Sequence, residues 1–163
     1  NIVVCILNRK RHESLIASVR KTGARIKLIS DGDVSAVIAT TVEDSGVDLY
    51  LGAGGSPEGV LAAAALRCLG GKIYGKLMFQ DNEEKSRAHK MNISDFDKVY
   101  TTKDLASGEV MFAATGVTNG TFLKGVLIKN NEATTHSVVM RSKTKTLRYV
   151  TARHNLLIKP IIK

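Results

Sequence analysis

Short apolar runs alternate with segments of helical spacing throughout residues 1–77, and this alternation constrains the fold more than any other feature. The apolar runs predict four strands, at residues 2–7, 26–29, 47–51 and 73–77. The segments between them predict three helices, at residues 13–21, 34–42 and 60–69. Strands separated by helices form parallel sheets with the helices packed on their faces, so we expect a largely parallel sheet here.

The pattern changes after residue 79. Residues 80–90 are polar and charged, which predicts a surface loop with some helix. From residue 109 onward short strands follow one another, at 109–117, 122–129, 135–142 and 146–152, which predicts hairpins and an antiparallel sheet. We therefore expect one α/β domain over residues 1–163, with a βαβ portion at 1–79 and mostly antiparallel strands at 80–163.

Charge and cysteine content narrow the partners and the compartment. The formal net charge of +9 favours anionic partners. No apolar run approaches the ~20 residues that a membrane span needs, so no membrane partner is expected. Near the start the charges follow the apolar stretch, the wrong order for a signal peptide. Cys5 and Cys68 lie in apolar surroundings without CxxC spacing, which favours buried free thiols and a cytoplasmic location.

The polar residues that follow the first three predicted strands are the candidates for ligand binding. They are a basic segment (Arg9, Lys10, Arg11), an Asp-Gly-Asp turn (Asp31, Gly32, Asp33) and the stretch GAGGSPEG, which contains Gly55 and Glu58. Open parallel sheets bind their ligands at the carboxyl ends of the strands, where these three segments are expected to meet.

Each segment also has a purely structural interpretation. The basic segment is typical of a solvated helix face, and either aspartate of the Asp-Gly-Asp turn can cap the next helix. Ser56 suits an N-cap, Pro57 the first helical position, and Glu58 the positive end of the helix dipole. Taken together, however, the segments favour a phosphorylated sugar with a divalent cation. Arginine binds phosphate, aspartate accepts hydrogen bonds from hydroxyls, and a carboxylate beside phosphate usually holds a cation.

Other motifs fail when they are compared residue by residue. A dinucleotide fingerprint requires a third glycine where Pro57 stands, and a Walker A loop requires lysine where Val60 stands. The four histidines show no metal-ligand spacing, and no serine lies in a nucleophile elbow. Only 5% of the residues are aromatic and they form no stacking pattern, so a nucleic-acid partner is ranked low.

Four segments together resemble the bacterial class II fructose-1,6-bisphosphatases, and the resemblance runs over essentially the whole chain. They are LISDGDV, GAGGSPEGVLAAAALRCLGG, DLASGEVMFAATGVTNGTFLKGV and SVVMRSKTKTLRYV. The resemblance implies the layered αβαβα sandwich of the metal-dependent, lithium-sensitive sugar phosphatases. It also implies hydrolysis of fructose 1,6-bisphosphate to fructose 6-phosphate in gluconeogenesis, with Mn²⁺ or Mg²⁺. Some members also accept sedoheptulose 1,7-bisphosphate, and a homo-oligomer is expected.

The resemblance assigns roles to individual residues. It implies substrate binding by Arg9, Lys10, Arg11, Asp31, Gly32, Asp33 and Gly55, and metal binding by Glu58. The family often has proline at the position of Lys10. Arg141 and Arg148 belong to the last resembling segment and are interpreted as structural.

The resemblance covers only the second half of the family's chain. The first half carries the other metal-binding carboxylates and the residues that activate water. We therefore expect this chain to need the missing N-terminal half as its partner and to be inactive alone. Two alternatives stay open, a non-catalytic phosphosugar-binding or regulatory module and a basic nucleic-acid-binding domain.

Overall fold

The structure, a computed structural model, describes residues 2–158 as a mixed α/β arrangement of nine strands and five α-helices. The strands are β1 (Val3–Leu7), β2 (Arg25–Ile29), β3 (Leu49–Tyr50), β4 (Tyr74–Lys76), β5 (Val99–Thr101), β6 (Met111–Thr115), β7 (Leu127–Lys129), β8 (Glu132–Arg141) and β9 (Thr146–Asn155). The helices are α1 (Glu13–Lys21), α2 (Asp33–Ala39), α3 (Ser56–Leu69), α4 (Asn82–Lys90) and α5 (Thr102–Leu105), and a 3₁₀ turn (Lys10–His12) precedes α1.

The first three strands form the expected parallel sheet, in the order β2-β1-β3. Its central strand is the most apolar of the three: four of the five residues of β1 are buried. A strand buried on both faces reads as a continuous apolar run, which is why the sequence pattern was informative here. The parallel connection through α1 and α2 confirms the βαβ interpretation of this region.

The fourth predicted strand is present, but it does not join the parallel sheet. The prediction for residues 73–77 was therefore wrong about the strand with which it pairs. After α3, Gly70 adopts a left-handed conformation (φ 89°) and the chain turns away from the sheet. Strand β4 then pairs antiparallel with β5, with Tyr74 opposite Thr101. An apolar run does not specify which strand will pair with it, and β5 lies far along the chain.

The remaining strands form a four-stranded antiparallel sheet, as expected. Strand β8 is its centre, with β6 and β7 along one edge and β9 along the other. The strand predicted at 122–129 was too long, because only Leu127–Lys129 pairs and residues 116–125 form a loop. The expected surface segment at 80–90 is largely helix α4, whose first turn is capped by the Asp81 carboxylate accepting from the Glu84 N–H (2.8 Å).

The elements stack in four layers. Helix α1 packs through Ile16 and Val19 on one face of the parallel sheet. Helices α2 and α3 lie between the two sheets, and consecutive residues of α2 are buried because the helix is covered on several sides. The antiparallel sheet closes the last core with Phe112, Val138 and Met140. This order is consistent with four layers of an αβαβα sandwich.

Two further expectations can be compared with the structure. Cys5 and Cys68 are buried free thiols, as predicted, and burial raises the pKa of each. Among residues 2–158, no helix has the length and apolar character that crossing a bilayer requires.

Candidate functional site

The carboxyl ends of β1, β2 and β3 lie at one edge of the parallel sheet and bring the three candidate segments together. The Arg11 side chain donates from Nε to the Ala53 carbonyl (2.9 Å), which joins the basic segment to residues 52–55, hereafter the glycine loop. A methyl group built on Gly54 would lie 3.5 Å from Asp33 Oδ2, which places the Asp-Gly-Asp turn against the same loop. The sequence prediction that these segments converge is confirmed for Arg11 and Asp33.

The glycine loop leads directly into α3. Gly55 is the N-cap, in an extended conformation, and its carbonyl accepts from the Gly59 N–H (3.2 Å). Ser56 was predicted to be the N-cap, but it is already the first helical residue, and no side chain of residues 2–158 caps this helix. Uncapped N–H groups at a helix start, together with the helix dipole, form a binding site for an anion.

Glu58 folds back over the glycine loop. A methyl group built on Gly55 would overlap the Glu58 carboxylate, so only glycine leaves room for this side-chain position. The ion pairs found within residues 2–158 do not include Glu58. Among the described residues, therefore, no cation pairs with this carboxylate beside the first turn of α3.

The Asp-Gly-Asp turn depends on its central glycine. Gly32 has a left-handed conformation (φ 77°) and is the N-cap of α2, so the predicted aspartate caps are not formed. The Gly32 carbonyl instead accepts from the Ser35 hydroxyl (2.7 Å). Asp33 accepts from the Val34 N–H through Oδ1 (3.0 Å), so its Oδ2 remains directed toward the glycine loop. Asp31, the first residue of the turn, is exposed.

The basic segment is divided by the 3₁₀ turn. Arg11 contacts the glycine loop, whereas the Arg9 guanidinium donates to the neighbouring Asn8 carbonyl (3.3 Å). Lys10 is exposed and makes no side-chain hydrogen bond within the described residues. The structure thus brings one of the three basic side chains to the loop and leaves two at the rim.

The sequence interpretation missed His12. Its side chain is only 2% exposed, and it lies between the end of β1 and the glycine loop. The adjacent basic residues suggested a solvated segment. The missed signal was spacing: His12, Ile16 and Val19 follow the i, i+4, i+7 pattern of one helix face, and all three are buried.

Tyr50 lies beneath the glycine loop at the end of β3. Its hydroxyl would lie 3.2 Å from a methyl group built on Gly52. Burial, with smaller contributions from Asp33 and Cys5, raises the pKa of Tyr50 to about 12, and Arg11 opposes this shift. Tyr50 therefore presents a neutral hydroxyl at physiological pH.

An open cleft of about 320 Å³ extends from the Asp-Gly-Asp turn to the loop at residues 116–123. Phe112 and Leu123 line its apolar floor, and Thr118 and Asn119 line its far side. The Asn119 side chain accepts from the Gly125 N–H (2.9 Å), which closes the far loop on itself. Ligand sites range from about 300 to 1,000 Å³, so the cleft lies at the small end of that range, a size that suits a monosaccharide.

The residues present do not complete a metal site. Within residues 2–158 there is no group of three or more His, Cys, Asp or Glu side chains arranged to hold a metal ion. Glu58 offers carboxylate oxygens, which suit Mg²⁺ and Mn²⁺, but a hard divalent cation takes about six ligands. Residues 2–158 therefore fall short of the ligand set that such a cation takes.

The two arginines of the last resembling segment lie outside this site. Arg141 pairs with Glu109 (Nη2 to Oε2, 3.3 Å), which also pairs with Lys143 (2.8 Å). Arg148 is exposed on β9.

Comparison with known proteins gives one consistent match. The family model described as "Bacterial fructose-1,6-bisphosphatase, glpX-encoded" matches residues 1–154. The chain is 43% identical to a protein of Crocosphaera subtropica, 42% to one of Trichodesmium erythraeum and 41% to one of Microcystis aeruginosa. Each is named D-fructose 1,6-bisphosphatase class 2/sedoheptulose 1,7-bisphosphatase. Each match covers 94% of this chain and 48% of the relative, so the chain spans about half the length of these curated relatives.

Proposed function

The chain belongs to the bacterial fructose-1,6-bisphosphatase family, and from this premise we propose that the complete protein hydrolyses the 1-phosphate of fructose 1,6-bisphosphate. The products are fructose 6-phosphate and phosphate, a step of gluconeogenesis in the cytoplasm. The names of the relatives add sedoheptulose 1,7-bisphosphate as a second candidate substrate.

The observation that carries this proposal is the convergence of Arg11, Asp33 and Glu58 on one glycine loop. A guanidinium, a carboxylate and uncapped helix N–H groups are the chemistry that a phosphorylated sugar with a cation requires. In this proposal Arg11 binds phosphate, with Arg9 and Lys10 at the rim of the site. Asp31 and Asp33, joined by Gly32, accept hydrogen bonds from sugar hydroxyls. The N–H groups near Gly55 bind phosphate oxygens.

Glu58 supplies one oxygen ligand to Mn²⁺ or Mg²⁺ in this proposal. When bound, the cation neutralises charge on the phosphate and activates water. The other ligands come from the part of the relatives that this chain does not span. We therefore propose that residues 1–163 form the second half of the catalytic unit. Alone they bind sugar phosphate weakly and do not turn it over.

Exposed apolar side chains support a covering partner. Val60 and Leu61 on α3, and Leu127, Ile128 and Tyr149 on the antiparallel sheet, are each at least 40% exposed. Exposed apolar side chains that lie together on one surface usually mark an interface. We propose that the other half of the same protein, or a second copy in a homo-oligomer, covers it.

The test of the assignment is Glu58→Gln in the full-length protein. We expect both Mn²⁺ affinity and the rate of phosphate release from fructose 1,6-bisphosphate to fall by more than about 100-fold. This exceeds the 10–100-fold typical of residues that only orient a metal ligand. Glu83→Gln is the matched control, because Glu83 also lies in the first turn of a helix but is far from the glycine loop.

The outcomes separate the alternatives. Unchanged metal affinity and rate in Glu58→Gln would leave Glu58 as a helix-dipole residue only. Phosphosugar affinity that needs no metal, with no turnover by the wild-type protein, would indicate a non-catalytic binding module. Affinity for RNA or DNA that falls steeply with salt, with no phosphosugar binding, would indicate a nucleic-acid binder.

A further inference from the structure

His12 is buried and hydrogen-bonded through both ring nitrogens, an arrangement that the proposed function leaves unexplained. Its Nδ1 lies 2.8 Å from the Leu7 carbonyl oxygen, and its Nε2 lies 2.9 Å from the Ala53 nitrogen. Among residues 2–158 it is the one polar or charged residue that is buried. No buried side-chain nitrogen or oxygen in that range lacks a hydrogen-bond partner. Burial of an imidazole is favourable only when such bonds are made.

The two partners define the tautomer. The Leu7 carbonyl only accepts, so Nδ1 carries a proton and donates to it. The Ala53 N–H only donates, so Nε2 must present its lone pair. The Ala53 carbonyl also lies 3.1 Å from Nε2, but that contact would need a proton on Nε2, which would then face the Ala53 N–H. The neutral Nδ1–H imidazole is the form that satisfies both main-chain groups.

Both polar groups of Ala53 are therefore held by adjacent residues. His12 accepts from its N–H and Arg11 donates to its carbonyl (2.9 Å). Ala53 is the second residue of the glycine loop, and glycines at 52, 54 and 55 leave the surrounding backbone with unusual freedom. A fixed Ala53 peptide restricts the directions that the next N–H groups can take.

We propose that His12 is a positioning residue: through Ala53 it holds the glycine loop in the orientation that binds the phosphate of the substrate. This inference rests on the proposed function, since it takes the loop as the phosphate-binding element. His12 does not contact the ligand itself. Its effect is exerted through the direction of the loop N–H groups and through the start of α3, which carries Glu58.

Two variants separate positioning from simple packing. His12→Phe keeps a planar ring and removes both hydrogen bonds, whereas His12→Gln supplies an amide with one donor and one acceptor. We expect His12→Phe to lower kcat/KM for fructose 1,6-bisphosphate by about 100-fold, chiefly by raising KM, as is typical of an ångström-scale misplacement. We expect His12→Gln to recover most of this loss.

Val19→Ala is the matched control, because Val19 lies on the same buried helix face but does not touch the loop. We expect it to lower the melting temperature while KM stays unchanged. A KM in His12→Phe equal to that of the wild type, at any melting temperature, would overturn the proposal. So would a failure of His12→Gln, correctly folded, to improve on His12→Phe.

Two measurements on the wild-type full-length protein need neither a variant nor turnover. Nitrogen NMR of the imidazole should show the Nδ1–H tautomer, and hydrogen exchange should show a protected Ala53 amide. The opposite tautomer or an unprotected Ala53 amide would refute the bridge itself, even if His12→Phe does not fold. If the bridge is found but the wild-type protein neither binds nor hydrolyses the bisphosphate, the proposed function fails and the positioning role fails with it.

Discussion

At the scale of single residues, Tyr50 has the most strongly shifted ionisation near the candidate site. Burial is the main cause, and the Asp33 carboxylate adds to it because a tyrosinate beside a carboxylate is disfavoured. The pKa of Tyr50 is about 12, above the ordinary value of about 10. The folded protein therefore holds this proton more tightly than the unfolded chain does.

The expected result is a specific sensitivity to alkali. The contribution of Tyr50 to the free energy of unfolding is fully present below pH 10 and is lost as the pH rises through 12. Of the four tyrosines, Tyr50 should ionise last in an ultraviolet titration, and this late step should be absent from Tyr50→Phe. Tyr74→Phe is the control, because Tyr74 is 67% exposed. A late step that persists in Tyr50→Phe would contradict the assignment.

The residue types in the sequence predicted which segments meet at the candidate site, but they did not predict the directions of the side chains. The segments after three parallel strands were identifiable because apolar strands and a Gly-Ser-Pro-Glu helix start leave strong sequence patterns. Sequence does not show that Arg9 turns to the Asn8 carbonyl while Arg11 turns to the loop. That difference arises from the 3₁₀ turn, which rotates successive side chains to different sides.

At the scale of elements, Arg67 connects α3 to the chain that leads into the antiparallel sheet. Its guanidinium donates to the carbonyls of Ala106 and Gly108, each at 2.8 Å. These two acceptors lie in the segment between α5 and β6. A forked donor can hold both carbonyls at once, which a lysine ammonium on a flexible stem does less well.

We expect Arg67→Lys to lower the free energy of unfolding by about 1.5–3 kcal/mol, the range for a hydrogen bond to a charged group. Urea unfolding monitored by circular dichroism measures this change. The control is Arg87→Lys, since Arg87 forms a mostly exposed pair with Glu84 (3.7 Å) and should change stability little. Equal effects of the two substitutions would show that the paired hydrogen bonds from the Arg67 guanidinium do not contribute to stability.

Elements with a strong local pattern were predicted, whereas the length of β7 and the pairing of β4 were not. Helix α1 agrees at both ends with its apolar spacing and its glycine stop. Strand β7 is shorter than predicted because Gly125 packs closely against Thr118 and Asn119, which holds the preceding residues in a loop. Strand β4 pairs with β5, and no local sequence pattern indicates this pairing.

At the scale of the whole molecule, the layers explain why the site is open. The carboxyl ends of β1 to β3 and the cleft beside them lie at one side of the stack, and α2 contributes to both. A sandwich with this layer order covers its middle helices on both sheet-facing sides and leaves its strand ends exposed. The position of the site thus follows from topology.

The central position of β1 between two parallel neighbours also affects the order in which the strands pair during folding. Hairpins close in about 1–10 μs, and β8 and β9 are joined by only the residues between Arg141 and Thr146. Pairing Val3 with Arg25, and Val4 with Leu49, requires closing longer loops, which is slower. We therefore expect the ligand-bearing edge to form late in folding, with few of its contacts present in the transition state. Inorganic phosphate should then slow unfolding in stopped-flow measurements and leave the refolding rate unchanged. Faster refolding in the presence of phosphate would show that this edge forms early.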